Sequence, residues 1–390
     1  MDPVSIFDAV DAAAQARYGV SALAIAVSSG GEVHERGFGV APETTFRVAS
    51  ITKSLVAATA MRLVEEGRLS LDEPVTGLRL PWEGITLRRL LSHQAGLAWD
   101  WPKPLADYGE SDDALQRLAA DEAAGGPVGP GQYFSYANPG YWLAGALIER
   151  ASGLSFEAAL RGLVLAPLGM ERTSFEPVEP SIPSSLPYPR ARRPSGGLYS
   201  CAGDVMRFAR HLLGGPGPLS PGSVRELQTS QIAVNPDGDY GLGLGVWRGR
   251  GRPTIEHGGS VAGIRAQLLV LPEDDVALVL LTDSERGHLL IDELLDTVGL
   301  AMPLPPEVAV SDAELAAVSG TFREPLGTSV RVSTRNGGID VAAEGEPSLH
   351  LRPSGPTRFV VREGDAKGGW AEFFEDGRLL RYDTLLERAG

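Results

Sequence analysis

The chain has 390 residues, a formal net charge of −15 and 43% apolar residues, enough for a large catalytic domain plus a smaller module. That acidity excludes nucleic acid and anionic membrane as partners, since both want basic patches. Cys201 is the single cysteine, which excludes an internal disulfide and suits a reducing compartment.

The start, Met-Asp-Pro-Val-Ser-Ile-Phe-Asp-Ala-Val-Asp, is acidic and has neither a basic n-region nor a continuous apolar core. It does not read as a secretory signal, and no apolar run of about 18 residues could span a bilayer. A cytoplasmic location is the expectation. Residues 3–17 carry helical periodicity, with Val4, Phe7, Val10 and Ala14 on one side. Two strand-like runs, 21–28 and 32–39, flank Gly30-Gly31 and predict a hairpin.

Ser50-Ile51-Thr52-Lys53 comes next, ahead of an Ala-rich apolar segment over 55–67 that ends at a glycine. This reads as a helix whose first turn holds Ser50 and Lys53. At that spacing the two side chains share a face, so the amine can reach the hydroxyl. Nucleophilic serine chemistry needs such a neighbour, because a free hydroxyl is a poor nucleophile until a base takes its proton. The chain has only three lysines, Lys53, Lys103 and Lys367, and otherwise writes its positive charge as arginine. A guanidinium cannot give up its proton in a protein, whereas a buried amine can.

The section over 50–215 is helix-rich, with long Pro/Gly loops. Within it, Tyr136-Ala137-Asn138 sits in an irregular loop before a helix over 139–151. Strand character returns at 240–247, 254–257, 266–271 and 276–281. His257-Gly258-Gly259-Ser260 lies at the end of the second of these, where glycines let a substrate approach the backbone. An N-terminal helix and hairpin joined by C-terminal strands, with a helical block between, implies an α/β (α+β) domain with an antiparallel sheet. Residues 301–306 predict a linker. Beyond 311, short strand-like pieces at 330–333, 339–342, 349–352, 358–362, 371–374 and 379–382 predict a small antiparallel, barrel-like β module. The expected division is a hydrolase domain over 1–300 and the β module over 311–390. Three roles are open to the module: shaping the substrate entrance, oligomerisation, or stabilising the fold.

Serine acyl transfer needs a nucleophile, a proton acceptor and two donors for the oxyanion. The order Ser-x-x-Lys, Tyr-x-Asn, His-x-Gly resembles the serine β-lactamase and penicillin-binding protein superfamily. It is most similar to the class C-type branch with its D-aminopeptidases, DD-carboxypeptidases and family VIII carboxylesterases. Leu90-Leu91-Ser92-His93-Gln94-Ala95-Gly96-Leu97, Pro167-Leu168-Gly169-Met170, Gly196-Gly197-Leu198-Tyr199-Ser200 and Tyr240-Gly241-Leu242-Gly243 match in the same order, and the resemblance covers about 5–285. It implies a helix–sheet–helix sandwich with an inserted all-helical lobe and the site between them. It also implies roles. Ser50 would be the acylated nucleophile and Lys53 its amine partner. Tyr136 would relay the proton, and Asn138 would hydrogen-bond the substrate. His257 would polarise the Tyr136 oxygen or contact substrate. The backbone N–H groups of Ser50 and Ser260 would form the oxyanion hole, with Gly259 beside them in the substrate-binding strand.

Relatives that are β-lactamases carry Lys where this chain has His257, an ammonium that helps to hold the substrate's carboxylate. A neutral imidazole does this less well, so a β-lactam specialist is disfavoured.

Simpler readings stand beside these. Asn138 could cap the helix that follows, and His93 reads as a buried structural histidine. Trp82, Trp99, Trp101 and Tyr108 could line an acyl pocket or form core. His34, His211, His288 and His350 show no ligand spacing, so neither a metal nor a cofactor is expected. The alternating glycines of 241–245 are read as strand and not as a phosphate loop. The sequence thus predicts a serine hydrolase for a small ester, amide or peptide substrate, with carboxylesterase activity on small or medium acyl esters as first reading. The second is a D-aminopeptidase, DD-carboxypeptidase or weak β-lactamase; the third is a silent binding module of the same fold.

Overall fold

Ala24 and Ala26 point to one side of the strand β1 (Leu23–Ser29) and Leu23, Ile25 and Val27 to the other, and all five are fully buried. A strand with no exposed face must lie between two layers. In the computed structural model, which describes residues 2–184, 186–327, 329–382 and 384–389, those layers are helical.

The chain opens with a 3-10 turn at Pro3–Phe7 and a short helix, α1 (Ala12–Arg17). The single helix expected over 3–17 is therefore broken. Asp11 takes an extended backbone and caps a new helix by accepting from the Ala14 N–H. β1 and β2 (Glu32–Phe38) form the expected hairpin. β3 (Phe46–Arg47) leads through a 3-10 turn at Ala49–Ile51 into α2 (Thr52–Glu65). The inserted lobe carries α3 (Leu87–Leu91), α4 (Ala114–Ala120), α5 (Asn138–Ser152) and α6 (Phe156–Leu160). β4 (Tyr199–Ser200) pairs with β3, a two-residue ladder without a periodic signature, and α7 (Ala202–Leu212) and α8 (Pro221–Gln228) follow.

The remaining strands are β5 (Ile232–Asn235), β6 (Gly238–Tyr240), β7 (Gly245–Trp247), β8 (Thr254–Val261), β9 (Ile264–Leu271) and β10 (Val276–Thr282). They complete an eight-stranded sheet in the order β2-β1-β10-β9-β8-β7-β6-β5, antiparallel at each pairing. Ala277, Val279 and Leu281 of β10 share the core with the lobe side. Val276, Leu278 and Leu280 pack with Leu290 and Leu294 of α9 (Gly287–Thr297) on the opposite face.

Two strand expectations change. The run 240–247 is two strands, because Gly243 turns with φ 72° and its loop packs on the start of α2. The second strand does not end at His257 but continues to Val261, closing on β9 through a two-residue turn.

Residues 301–310 form no regular element. α10 (Asp312–Val318), held by a Ser311–Glu314 capping box, precedes a closed eight-stranded barrel. Its strands are β11 (Gly320–Arg323), β12 (Ser329–Arg335), β13 (Gly338–Ala343), β14 (Leu349–Pro353), β15 (Arg358–Val361), β16 (Trp370–Phe374), β17 (Leu379–Tyr382) and β18 (Thr384–Arg388). Phe322, Phe359 and Phe373 fill its interior. No helix among the described residues is long and apolar enough to cross a membrane.

Candidate active site

A cavity of about 700 Å³ lies between the sheet and the helical lobe, and Ser50, Tyr136, Asn138, His257, Gly259 and Ser260 all line it. Ser50 sits in the 3-10 turn just before α2, one turn from Lys53. Ala49 ahead of it holds φ 46°, a left-handed conformation that costs a non-glycine residue about 1 kcal/mol or more and concentrates at functional sites.

Lys53 is fully buried. Its Nζ lies 3.1 Å from Ser50 Oγ and donates to the Ser195 carbonyl at 2.5 Å. Burial, followed by the positive charge of Arg192, pushes the amine well below the ordinary lysine value of 10.5. A neutral amine has two N–H groups and one lone pair. With one N–H spent on Ser195, the lone pair can take the Ser50 proton.

Two clamps fix this turn. Ser54 Oγ donates to Gly243 O at 2.6 Å, and a side chain on Gly243 would collide with Lys53 O and Ala57 Cβ. The glycine run read from sequence as strand is thus a loop against the helix that carries Lys53. Ser195 is the other clamp. Its hydroxyl accepts from Trp142 Nε1 of α5 at 2.8 Å and donates to Arg192 O at 3.0 Å.

The Tyr136 ring stacks on His93, centroids 4.1 Å apart and planes 29° from parallel, and Lys53 Nζ lies 5.0 Å from its centre. His93 is buried, and its Nδ1 accepts from the Ala137 N–H at 3.1 Å. Burial and the nearby Lys53 and His257 hold its pKa well below the usual 6.5. The histidine read as structural therefore carries both ring and backbone of the Tyr136 loop. Asn138 is the first residue of α5, whose N-cap is Ala137; its side chain caps nothing and it borders the cavity. The capping alternative is thereby set aside.

His257 engages both ring nitrogens. Nδ1–H donates to Gly258 O at 2.7 Å, and Nε2 accepts from the Tyr240 hydroxyl at 2.9 Å. Burial, then Lys53, lowers its pKa to about 3, so it is a neutral imidazole at ordinary pH. Its partner is Tyr240, which the sequence brought forward only as part of a glycine motif. Gly259 serves a close approach: a side chain there would meet Val48 O at 2.3 Å, two residues before Ser50. The turn at Ala262-Gly263 sets the β8–β9 register, with Val261 opposite Ile264. Alternate residues then turn the backbone groups of Gly258 and Ser260 away from β9, toward the edge left open beyond the β7 pairing.

The aromatic cluster divides. Trp101 and Tyr108 are core, joined by an indole-to-hydroxyl bond of 2.8 Å, and Trp82 donates to Gly96 O; Trp99 alone of the four lines the cavity. The barrel contributes Trp370 to the same wall, a placement no local signal revealed. Glu324, at the end of β11, accepts from the Trp99 N–H at 2.5 Å. Cys201 is buried, and burial pushes its thiol up to about 11, so it is a packing residue. Among the described residues no cluster of His, Cys, Asp and Glu could hold a metal.

A helix–sheet–helix sandwich with a Ser-x-x-Lys turn facing a strand is the frame of a serine hydrolase. The sequence profile of the β-lactamase family matches residues 7–295, and the chain belongs to that family. It is 30% identical over 364 residues to penicillin-binding protein 4 of Amycolatopsis lactamdurans, covering 79% of this chain and 94% of the relative. Esterase EstB of Burkholderia gladioli is 33% identical over 208 residues, covering 44% of this chain and 52% of the esterase. The solved structure of SurE with D-Leu has 27% identity and a TM-score of 0.76 over 99% of this chain and 98% of its own.

Proposed function

We propose that the protein hydrolyses carboxylic esters of small or medium acyl groups through an acyl-enzyme on Ser50. The observation that carries this is the buried amine of Lys53, 3.1 Å from Ser50 Oγ and free of any carboxylate partner among the described residues. Lys53 takes the hydroxyl proton as the Ser50 oxygen attacks the acyl carbon. The oxyanion forms against the N–H groups of Ser50 and Ser260. Tyr136, next to the amine, passes the proton to the departing oxygen and later draws one from water, so that the acyl–Ser50 bond is hydrolysed. Asn138 hydrogen-bonds the substrate, Gly259 lets it lie against the strand, and His257 with Tyr240 keeps that wall polar but uncharged.

A second reading keeps the chemistry and changes the substrate to peptides or amides of D-residues. The specific observation favouring it is the likeness to SurE with D-Leu, which extends through the barrel.

Incubation with a slowly deacylated ester, followed by peptide mass mapping, tests the proposal. The expected result is an acyl adduct on the Ser50 peptide. An adduct elsewhere, or turnover without an adduct in a trapping experiment, would overturn it.

A further inference from the structure

We propose that Arg192 is the anchor for a free carboxylate on the substrate, so that the preferred ester or amide is an anionic one. This rests on the hydrolase reading above and specifies its substrate class.

Arg192 lines the cavity that holds Ser50. Its guanidinium lies 4.9 Å over the ring of Tyr188, another wall residue, and it makes no ion pair among the described residues. The other arginine of the wall, Arg265, is committed to Glu285 at 2.7 Å. The neighbours Arg190 and Arg193 likewise share Glu157. A run of three arginines therefore spends two on carboxylates of the fold and leaves one facing the cavity.

Of the other basic side chains lining the cavity, Arg265 is paired with Glu285, and His288 lies against the carbonyls of Glu285 and Asp365. His257 is a neutral imidazole, and Lys53 is poised to accept a proton. The aromatic stack and the backbone hold Arg192 in place: its carbonyl accepts from Ser195 Oγ, and Ser195 O in turn holds the Lys53 amine. A carboxylate meeting a guanidinium in a partly desolvated pocket gains a charge-assisted, often two-pronged bond. The same charge, felt at Lys53, disfavours the ammonium form. Bound carboxylate would offset that, which ties the anchor to the base. The carboxylate has two possible positions, the acyl part or the leaving group.

Two substrate pairs separate these sources. p-Nitrophenyl hemisuccinate against p-nitrophenyl butyrate reports a carboxylate on the acyl side. An acyl-D-Ala-D-Ala peptide against its C-terminal amide reports one on the leaving side. The expected result is that wild type prefers the anionic member of one pair by about tenfold or more in kcat/KM. The preference should collapse in Arg192→Met and survive in part in Arg192→Lys. Raising ionic strength should also shrink it in the wild-type enzyme, a readout that needs no variant to fold. Equal kcat/KM within both pairs, or a preference that persists in folded Arg192→Met, would overturn the assignment while leaving Ser50 chemistry intact. Hydrolysis that is as fast in Ser50→Ala would instead remove the hydrolase reading first.

Discussion

Ser135 Oγ, in the loop that carries Tyr136, lies 3.0 Å from Thr384 Oγ1 in the last strand of the barrel. The same hydroxyl accepts from the Leu385 N–H at 3.2 Å. With Glu324 held by Trp99 and Trp370 in the cavity wall, the barrel supports the catalytic cleft from behind and borders it in front.

Removing one atom of this brace tests it. Thr384→Val keeps the volume and leaves Leu385 N on Ser135, so a loss of about 1 kcal/mol is expected. A several-fold fall in kcat/KM should accompany it, because small misplacements of a reacting group are amplified in rate. Thermal unfolding and ester kinetics on the same preparation check both; an unchanged kcat/KM would show that the brace does not set the Tyr136 geometry.

The protonation of Lys53 predicts the pH profile. Its folded-state pKa lies well below 10.5, so the amine is deprotonated at a pH where a free lysine is still charged. Activity is therefore present above the lowered value and is lost as pH falls through it. His257, at about 3, adds no inflection near pH 6–7. Arg192→Met should move the acid limb to higher pH, since it removes a charge that opposes the ammonium. An acid limb that stays where it is in Arg192→Met would contradict Lys53 as the titrating group.

Tyr240→Phe removes the donor to His257 Nε2 and leaves a buried acceptor unpaired. A loss of about 1–3 kcal/mol is expected, together with a lower kcat as the imidazole is freed to turn. Full kcat with reduced stability would mean that the pair is structural only.

Gly259→Ala places a methyl against Val48 O, where 2.3 Å is available. The Ser50 turn must shift, and a loss of about 1–3 kcal/mol with near-complete inactivation is expected. Gly258→Ala, which meets nothing closer than Gln267 Oε1 at 3.7 Å, should keep wild-type stability. Equal melting temperatures for the two variants would contradict this account of Gly259.

Much of this was legible in the chain. Strand-like runs bounded by turn residues located β1, β2, β9 and β10, and short strand-like pieces located six of the eight strands of the barrel. Ser50 and Lys53 were readable because helical spacing is a local property. What failed to show were relations between distant segments. The Gly241–Gly245 run has strand composition, but Gly243 must approach Lys53 O, which only the folded α2 reveals. β3 and β4 have two residues each, too few for a period. His93 reads as a buried structural residue and is buried, but its partners, Ala137 and Tyr136, lie some forty residues on and gave no local signal. Arg192 was hidden in an arginine-rich run whose members differ only in which carboxylates meet them. Trp370 reaches the cleft from a strand more than three hundred residues from Ser50, and no spacing rule covers that.

Everything proposed for the cleft depends on Ser50 being acylated with the help of Lys53. Rapid mixing with a p-nitrophenyl ester measures this most directly, in wild type, Ser50→Ala and Lys53→Met. The expected result is a burst stoichiometric with enzyme in wild type, none in Ser50→Ala, and acylation slowed by roughly 10²–10⁴-fold in Lys53→Met. A burst of the same size and rate in Ser50→Ala would contradict it.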